Sequence, residues 1–358
     1  MSNDPRDLDG EKLRKALFLL GRNEALRLEL MDWLKRAETR FDASVAVRDD
    51  ITGPIVDAIN TSDDLYEKTL ENGTRFKFLF RTKIARDFIL ADREHPTHVW
   101  EPQTTRLLAY LAGHTDGDIL IGGAYFGDHA MSLARQIADA GRQVHCFEPD
   151  TAQSAMLEGN VELNGLDNVR IHRLGLWRES KQRLRLTGFD SFANAVVADS
   201  TEEGFDTVTI DDHFNELQRH CGLLMLDIEG GEIDALQGSA AVLAKDKPAI
   251  VFEVHRDYVD WTNGLQNTPI CSLLIAAGYD VYALRDFHTN QEMGDRRIEL
   301  IPAASVYLEG PPHGFNMLAV PSAALLDDPV FRIVENVSPK LLKHRRADLH
   351  HPLDGLPE

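Results

Sequence analysis

The sequence predicts an α/β protein built on a mostly parallel sheet, preceded by a smaller helical and hairpin extension. Two observations predict the sheet. Between about Trp100 and Val320, short apolar runs alternate with stretches of helical spacing, the signature of parallel strands covered on both faces. The last of these runs, Phe315–Val320, follows a Pro-Pro-His-Gly turn instead of a helix, so it is expected to pair antiparallel. The extension is predicted by a third: the first hundred residues lack this rhythm.

Residues 11–40 read as helix, because Leu13, Leu17, Leu20 and then Leu30, Trp33 and Leu34 recur every three or four positions among charges. Tyr66–Phe80 reads as a hairpin. Asn72-Gly73 supplies a positive-φ turn, and Phe76, Phe78 and Phe80 alternate after it. Strands are then expected at Ile119–Ile121, Val144–Phe147, Val169–Leu174, Leu223–Ile228, Ile250–Val254, Val281–Leu284 and Phe315–Val320. Helices are expected at His129–Ala140, Ala152–Asn164, Ile233–Leu243 and Pro269–Ala277. About forty residues, Arg178–Arg219, separate the third and fourth strands, with β-like pieces at Leu184–Leu186 and Thr207–Ile210. The expected divisions are an extension over 1–95, a main domain over 96–322 and a polar tail over 323–358.

Composition narrows the function. The 358 residues carry 58 acidic and 38 basic side chains, a net charge of −20 with histidine neutral. That balance argues against a nucleic-acid surface, which needs clustered Lys and Arg, and against anionic membranes. Apolar stretches such as Ile270–Ala277 are far short of the ~20 residues that span a bilayer. Met1–Gly10 holds four charges and no signal-peptide core. Cys146, Cys221 and Cys271 are three, far apart and without metal-ligand spacing, which fits a reducing cytoplasm.

In an open α/β sheet, ligands bind at the carboxyl ends of the strands beside the point where strand order reverses. The first strand runs into Gly122-Gly123-Ala124-Tyr125-Phe126-Gly127-Asp128, a turn whose glycines permit close backbone approach. The second ends Phe147-Glu148-Pro149-Asp150, where a carboxylate can accept both hydroxyl hydrogens of a ribose. Either piece alone also reads as ordinary βα packing; together they point to an adenosine cofactor. Gly122-x-Ala124-x-x-Gly127 fits the alanine variant of the dinucleotide fingerprint, which keeps an NAD-dependent oxidoreductase open. S-adenosylmethionine suits a single sheet with an antiparallel final strand better.

Trp100-Glu101-Pro102, Gly123-Ala124-x-x-Gly127, Phe147-Glu148-Pro149, Thr209-Ile210-Asp211-Asp212, Asp227-Ile228-Glu229-Gly230-x-Glu232, Phe252-Glu253-Val254-His255 and Gly278-Tyr279 occur in that order. In these pieces the chain resembles the FkbM family of S-adenosylmethionine-dependent methyltransferases, over about Trp100 to Pro321. The resemblance implies a Rossmann-like class I methyltransferase fold, a mostly parallel seven-stranded sheet with an antiparallel last strand. It implies S-adenosyl-L-methionine held by Gly123, Ala124, Tyr125, Gly127, Asp128, Glu148, Pro149 and Asp227, and tailoring of a natural product or polysaccharide. The chain departs from the family pattern at Ile121, Tyr125 and Met225, where an acid, an Asn and a Lys are usual.

Methyl transfer is an in-line displacement, so the protein mainly aligns the reacting atoms, and a carboxylate or imidazole takes the proton that a hydroxyl or protonated amine must lose. Asp227 and Glu229 sit two apart at the end of the fourth strand, and Glu253 and His255 repeat that spacing on the fifth. Asp227, Glu229 and His255 are therefore the expected catalytic groups. Glu232 and Asp234 read as acids in a helix's first turn, favoured by the dipole. Asp227, Glu229 and Asp211 would also make an oxygen cage for Mg²⁺, although nothing in their spacing requires one; Glu253-x-His255 lacks a third zinc ligand, and His350-His351 reads as tail.

Trp177, Phe189 and Phe192 line an acceptor pocket or cap the sheet edge. The expected acceptor is a small molecule or glycoside methylated at oxygen, with methylation of an amine and a non-catalytic cofactor-binding scaffold as alternatives. A homodimer through the extension completes the expectations. The charge bears on the acceptor: residues 101–320 carry −17, and Asp199–Asp234 hold eleven acids and one base, Arg219. Such a field attracts a cationic cofactor and disfavours phosphate-bearing acceptors.

Overall fold

A computed structural model describes residues 10–41, 47–81, 83–187, 194–197, 204–286, 290–308 and 314–340. Phe189, Phe192, His350 and His351 lie outside the described residues. The chain divides into two compact units, one holding the chain up to Thr69 with Lys77–Pro96, the other Leu70–Phe76 and the chain from Thr97.

The smaller unit contains α1 (Gly10–Gly21), α2 (Glu24–Glu38), α3 (Gly53–Ile59) and α4 (Lys83–Ile89). The single helix expected over 11–40 is two. A Cβ on Gly21 would lie 1.7 Å from the Ile59 carbonyl oxygen, and Asn23 restarts the chain by accepting the Leu26 N–H at 3.2 Å. Met31, Leu34, Val56, Ile59, Phe80 and Leu90 form its core. The expected hairpin is β1 (Leu65–Thr69) and β2 (Arg75–Leu79), turned by Gly73 at φ 81 while Asn72 Oδ1 accepts from the Thr74 N–H at 3.0 Å.

The larger unit opens with α5 (Pro102–His114) and enters β3 (Asp118–Gly122), α6 (Ala130–Gln136), β4 (Val144–Phe147), α7 (Thr151–Asn164) and β5 (Val169–His172). A four-stranded sheet follows from β6 (Gly175–Leu176), β7 (Arg183–Thr187), β8 (Asn194–Val197) and β9 (Phe205–Val208), in the order β6-β9-β7-β8. Then come α8 (Ile210–Leu217), β10 (Cys221–Leu226), α9 (Glu232–Gln237), α10 (Ala240–Lys245), β11 (Ala249–Val254), α11 (Pro269–Ala276), β12 (Asp280–Leu284), β13 (Ile298–Pro302), β14 (Phe315–Val320) and β15 (Phe331–Ile333).

Among the described residues the main sheet has nine strands, in the order β15-β13-β12-β14-β11-β10-β3-β4-β5. All seven expected strands are present, with β14 antiparallel to both β11 and β12. The two added strands, β13 and β15, extend the sheet past β12, and β15 falls within the stretch expected as tail. The helix expected over Ile233–Leu243 is broken into α9 and α10 at Gly238, which lies so near the Trp177 carbonyl oxygen that a Cβ there would come within 2.4 Å of it. Every residue of β3 and β10 is buried, as continuous apolar runs at a sheet centre require. Their register pairs Ile121 with Met225, so two of the three departures from the family pattern meet as a packed apolar pair.

The chain runs from β3 outward to β4 and β5, then returns to β10 on the other side of β3. Strand order therefore reverses between β3 and β10, and the crevice outside their carboxyl ends is the ligand position this topology provides.

Candidate cofactor and catalytic site

The register of β3 with β10 brings Gly122 opposite Leu226, so the turn after β3 and the loop after β10 leave the sheet side by side. The Asp227 N–H donates to the Gly122 carbonyl at 3.1 Å. A Cβ on Gly123, which has φ 75, would stand 1.8 Å from the Asp227 carbonyl oxygen, so only glycine fits. The Gly123 and Ala124 N–H groups both reach the Phe147 carbonyl, at 3.0 and 3.2 Å. Tyr125 adopts φ 47, a conformation that strains a bulky residue. Gly127, at φ 95, lets Leu157 pack 2.7 Å from where a Cβ would stand.

Glu148 joins this turn to the end of β4. Its Oε2 accepts from the Tyr125 N–H at 2.9 Å and its Oε1 from the Asp150 N–H at 3.0 Å. Burial pushes the carboxyl up to about 7 despite those two bonds. A carboxylate has about four acceptor positions, so two remain for hydroxyl donors. Pro149 is half-buried between Glu148 and Asp150, and the Asp150 side chain caps α7 through the Ala152 and Gln153 N–H groups. Asp128 is half-buried with its carboxyl raised by burial, and His129 Nε2 lies 3.7 Å away.

Across the switch point the site is acidic. Asp227, Glu229 and Glu253 each place a carboxylate oxygen within 4.8 Å of the other two. Burial, then repulsion from Glu253, Glu229 and Glu101, raises the Asp227 carboxyl well above its ordinary range. Burial also pushes Glu229 up to about 7, although the Tyr258 hydroxyl donates to its Oε2 at 3.3 Å. Glu253 is raised by burial and then by Glu229, Glu101 and Glu232. Glu229 sits at φ 51, so the turn that aims its side chain is held in the left-handed region without a glycine.

Some expected residues have other work. Asp211 is no part of an oxygen cage, because its two oxygens accept the Ala241 and Val242 N–H groups at 2.8 Å each and cap α10. His255 Nδ1 accepts from the Asp257 N–H at 3.1 Å, and its ring lies against Tyr258, whose hydroxyl donates to Glu229. Glu232 does more than answer a helix dipole: its carboxylate accepts the Ile228 and Gly230 N–H groups at 2.8 and 3.0 Å, which buckles the loop carrying Glu229. Asp234 pairs with Arg178 at 3.0 Å. Trp177 is buried.

Other residues of the site have no place among the expected groups. Glu101, at φ 46 ahead of α5, receives the Asn316 Nδ2 hydrogen bond at 2.6 Å and adds its charge to the cluster. Asn316 stands opposite Glu253 in the β11–β14 register. Lys340 pairs with Asp286 and offsets part of the repulsion at Glu101 and Glu253. The Trp-Glu-Pro motif marks Glu101 in the sequence; Asn316, Tyr258 and Lys340 carry no spacing signal.

The order β5-β4-β3-β10-β11-β14-β12, with β14 antiparallel, defines the Rossmann-like fold of class I methyltransferases. Within it, residues 122–281 match the methyltransferase FkbM domain family model. Among solved structures, the chain is similar to the methyltransferase FkbM from Methylobacillus flagellatus, with 16% identity and a TM-score of 0.31 over 48% of this chain and 40% of that one. It is also similar to a precorrin-6y C5,15-methyltransferase from Geobacter metallireducens, with 9% identity and a TM-score of 0.35 over 62% and 88%. A Pyrococcus abyssi tRNA (uracil-54, C5)-methyltransferase in complex with S-adenosyl-L-homocysteine gives 13% identity and a TM-score of 0.33 over 72% and 44%. No curated protein matches the chain by sequence.

Proposed function

We propose that the protein is an S-adenosylmethionine-dependent methyltransferase acting at a hydroxyl of a small-molecule, natural-product or sugar acceptor. The observation that carries the reading is the pairing, across one switch point, of a buried ribose-type carboxylate with a cluster of mutually repelling acids. Glu148 offers acceptor positions to two vicinal hydroxyls. Burial raises the Asp227 and Glu253 carboxyls and the neighbouring charges of Glu229 and Glu101 raise them further, so a ligand bearing an ammonium and a sulfonium would offset that repulsion. The donor set thus fits this cofactor. The same site fits a dinucleotide less well: β14 is inserted antiparallel where a dinucleotide fold continues parallel, and a pyrophosphate would face the acids.

Bound S-adenosylmethionine would supply an electrophilic methyl group. The chain's own groups then orient and deprotonate the acceptor. Glu148 fixes the ribose end through a carboxylate already set by Tyr125 and Asp150. Asp227 and Glu253 answer the cationic end. Glu229, pushed to about 7, takes the acceptor's proton near neutral pH, and Tyr258 holds its Oε2 while that happens. The acidic surroundings favour neutral or amine-bearing acceptors over phosphates.

Calorimetry of the purified chain with S-adenosylmethionine and S-adenosylhomocysteine tests the first step. Micromolar binding of either is expected, and no heat from both would reject the proposal. Transfer of labelled methyl to a panel of glycosides, phenols and amines then separates oxygen from nitrogen.

A further inference from the structure

A second cluster of chemistry-bearing side chains lies on the sheet face covered by α8. His145 is on β4, His172 ends β5 and His213 is on α8. Phe147 pairs with His172 across the strands, and His145 lies two residues before Phe147, so the two imidazoles share one face. Their ring centroids are 5.7 Å apart, and the His213 ring stands edge-on to both, at 4.7 and 4.8 Å. Each ring offers one nitrogen such that the three lie within 4.8 Å of one another.

Buried polar atoms are normally hydrogen-bonded. Here His145 Nδ1, His172 Nε2 and His213 Nε2 are all buried without a hydrogen-bond partner. His145 is 1% exposed and His213 7%. Three imidazoles packed together, each with a buried nitrogen that lacks a partner, ask for a shared electrophile. The opposite nitrogen of His145, Nε2, is 3.1 Å from Asp118 Oδ2, and Asp118 is itself held by Arg219 and by the Gln143 N–H. A carboxylate there takes the Nε2 proton as a hydrogen bond and leaves Nδ1 as a bare lone pair, the outer-shell arrangement of metal-binding histidines.

We propose that His145, His172 and His213 bind one divalent transition-metal ion of the zinc type, which ties α8 to β4 and β5. Imidazole is the ligand such ions prefer among nitrogen and oxygen donors. Binding would draw the nitrogens to roughly 3.3 Å separations, as tetrahedral bonds of about 2.05 Å require, and leave a fourth position for water. The site is separate from the acidic cluster and does not depend on the methyltransferase reading.

The test titrates Zn²⁺ into the tag-free, chelator-stripped full chain against a chromophoric competitor, and counts metal retained after dialysis. One zinc per chain is expected, with affinity falling at least about tenfold in His213→Gln and in His172→Asn and roughly 10–100-fold in Asp118→Asn. Glu229→Gln should leave it unchanged. No stoichiometric zinc, or zinc retained undiminished by both histidine variants, overturns the site. Zinc-edge X-ray absorption on the loaded wild type needs no variant: nitrogen scatterers at about 2.0–2.1 Å with imidazole outer-shell features support it, and their absence rejects it.

Discussion

The Tyr125 N–H donates to Glu148 Oε2 at 2.9 Å, so the turn after β3 and the end of β4 are one hydrogen-bonded unit. The carboxylate proposed to receive the ribose is therefore fixed before any ligand arrives, and little ordering cost falls on binding.

Glu148→Gln should weaken S-adenosylhomocysteine binding by about tenfold to a hundredfold, the range for losing hydrogen bonds to a charged acceptor. Glu148→Ala should weaken it further, because the Tyr125 and Asp150 N–H groups lose their acceptor. Calorimetry reads both, and unchanged affinity in the Gln variant would remove Glu148 from the site.

Gly123→Ala should be severely destabilising, by more than about 4 kcal/mol, because the new Cβ meets the Asp227 carbonyl oxygen at a backbone that cannot retreat. Gly141→Ala is the control. It too has positive φ, but nothing lies within 4 Å of its Cβ, so the loss should be only about 1–2 kcal/mol. Similar melting temperatures for the two variants would contradict the close approach.

Stability should depend on pH through Glu229. Its folded-state value, about 7, lies above its ordinary one, so its contribution is complete below about pH 4.5 and is lost as pH rises through 7. Glu229→Gln has no charge to desolvate and keeps an oxygen for the Tyr258 hydroxyl. The variant should melt above wild type at pH 8 and level with it at pH 4.5, both ligand-free. Equal melting at pH 8 would mean the carboxylate is solvated.

Asp118 behaves oppositely. Arg219, His145 and the Gln143 N–H hold its carboxyl far below the usual range, so its contribution is present above about pH 4 and is lost as pH falls. Arg219→Gln leaves a buried carboxylate with weaker partners and should cost about 2 kcal/mol at pH 7. Acid unfolding should begin at higher pH in the variant, which denaturation followed from pH 7 to 3 would show.

Much of this was legible in the sequence, and the rest fails for physical reasons. Strands announce themselves by short apolar runs, which is why β3, β4, β10, β11 and β14 fall where expected. The helix breaks fall at Gly21 and Gly238, where the Ile59 and Trp177 carbonyls come too close for a Cβ, contacts that no local pattern encodes. Asp227, Glu229 and Glu253 are readable because they follow or close two neighbouring central strands, although β10 ends at Leu226 and a left-handed turn, not strand alternation, aims Glu229. Asp211 is misleading because a capping carboxylate and a ligand carboxylate look alike in sequence. The three histidines belong to separate elements, and only the β4–β5 register and the packing of α8 unite them.

Among the described residues the main sheet stops at strands of three residues, β15, and four residues, β5. A sheet edge is a template on which a foreign strand can grow, and its danger rises with its length. Here Arg332 stands in the middle of one short edge and Arg170 in the other, so a docking strand would find few free backbone groups and a positive charge at each. By extending the sheet past β12, β13 and β15 bury an edge of five residues and replace it with one of three, a guard against aggregation built into the order of the strands.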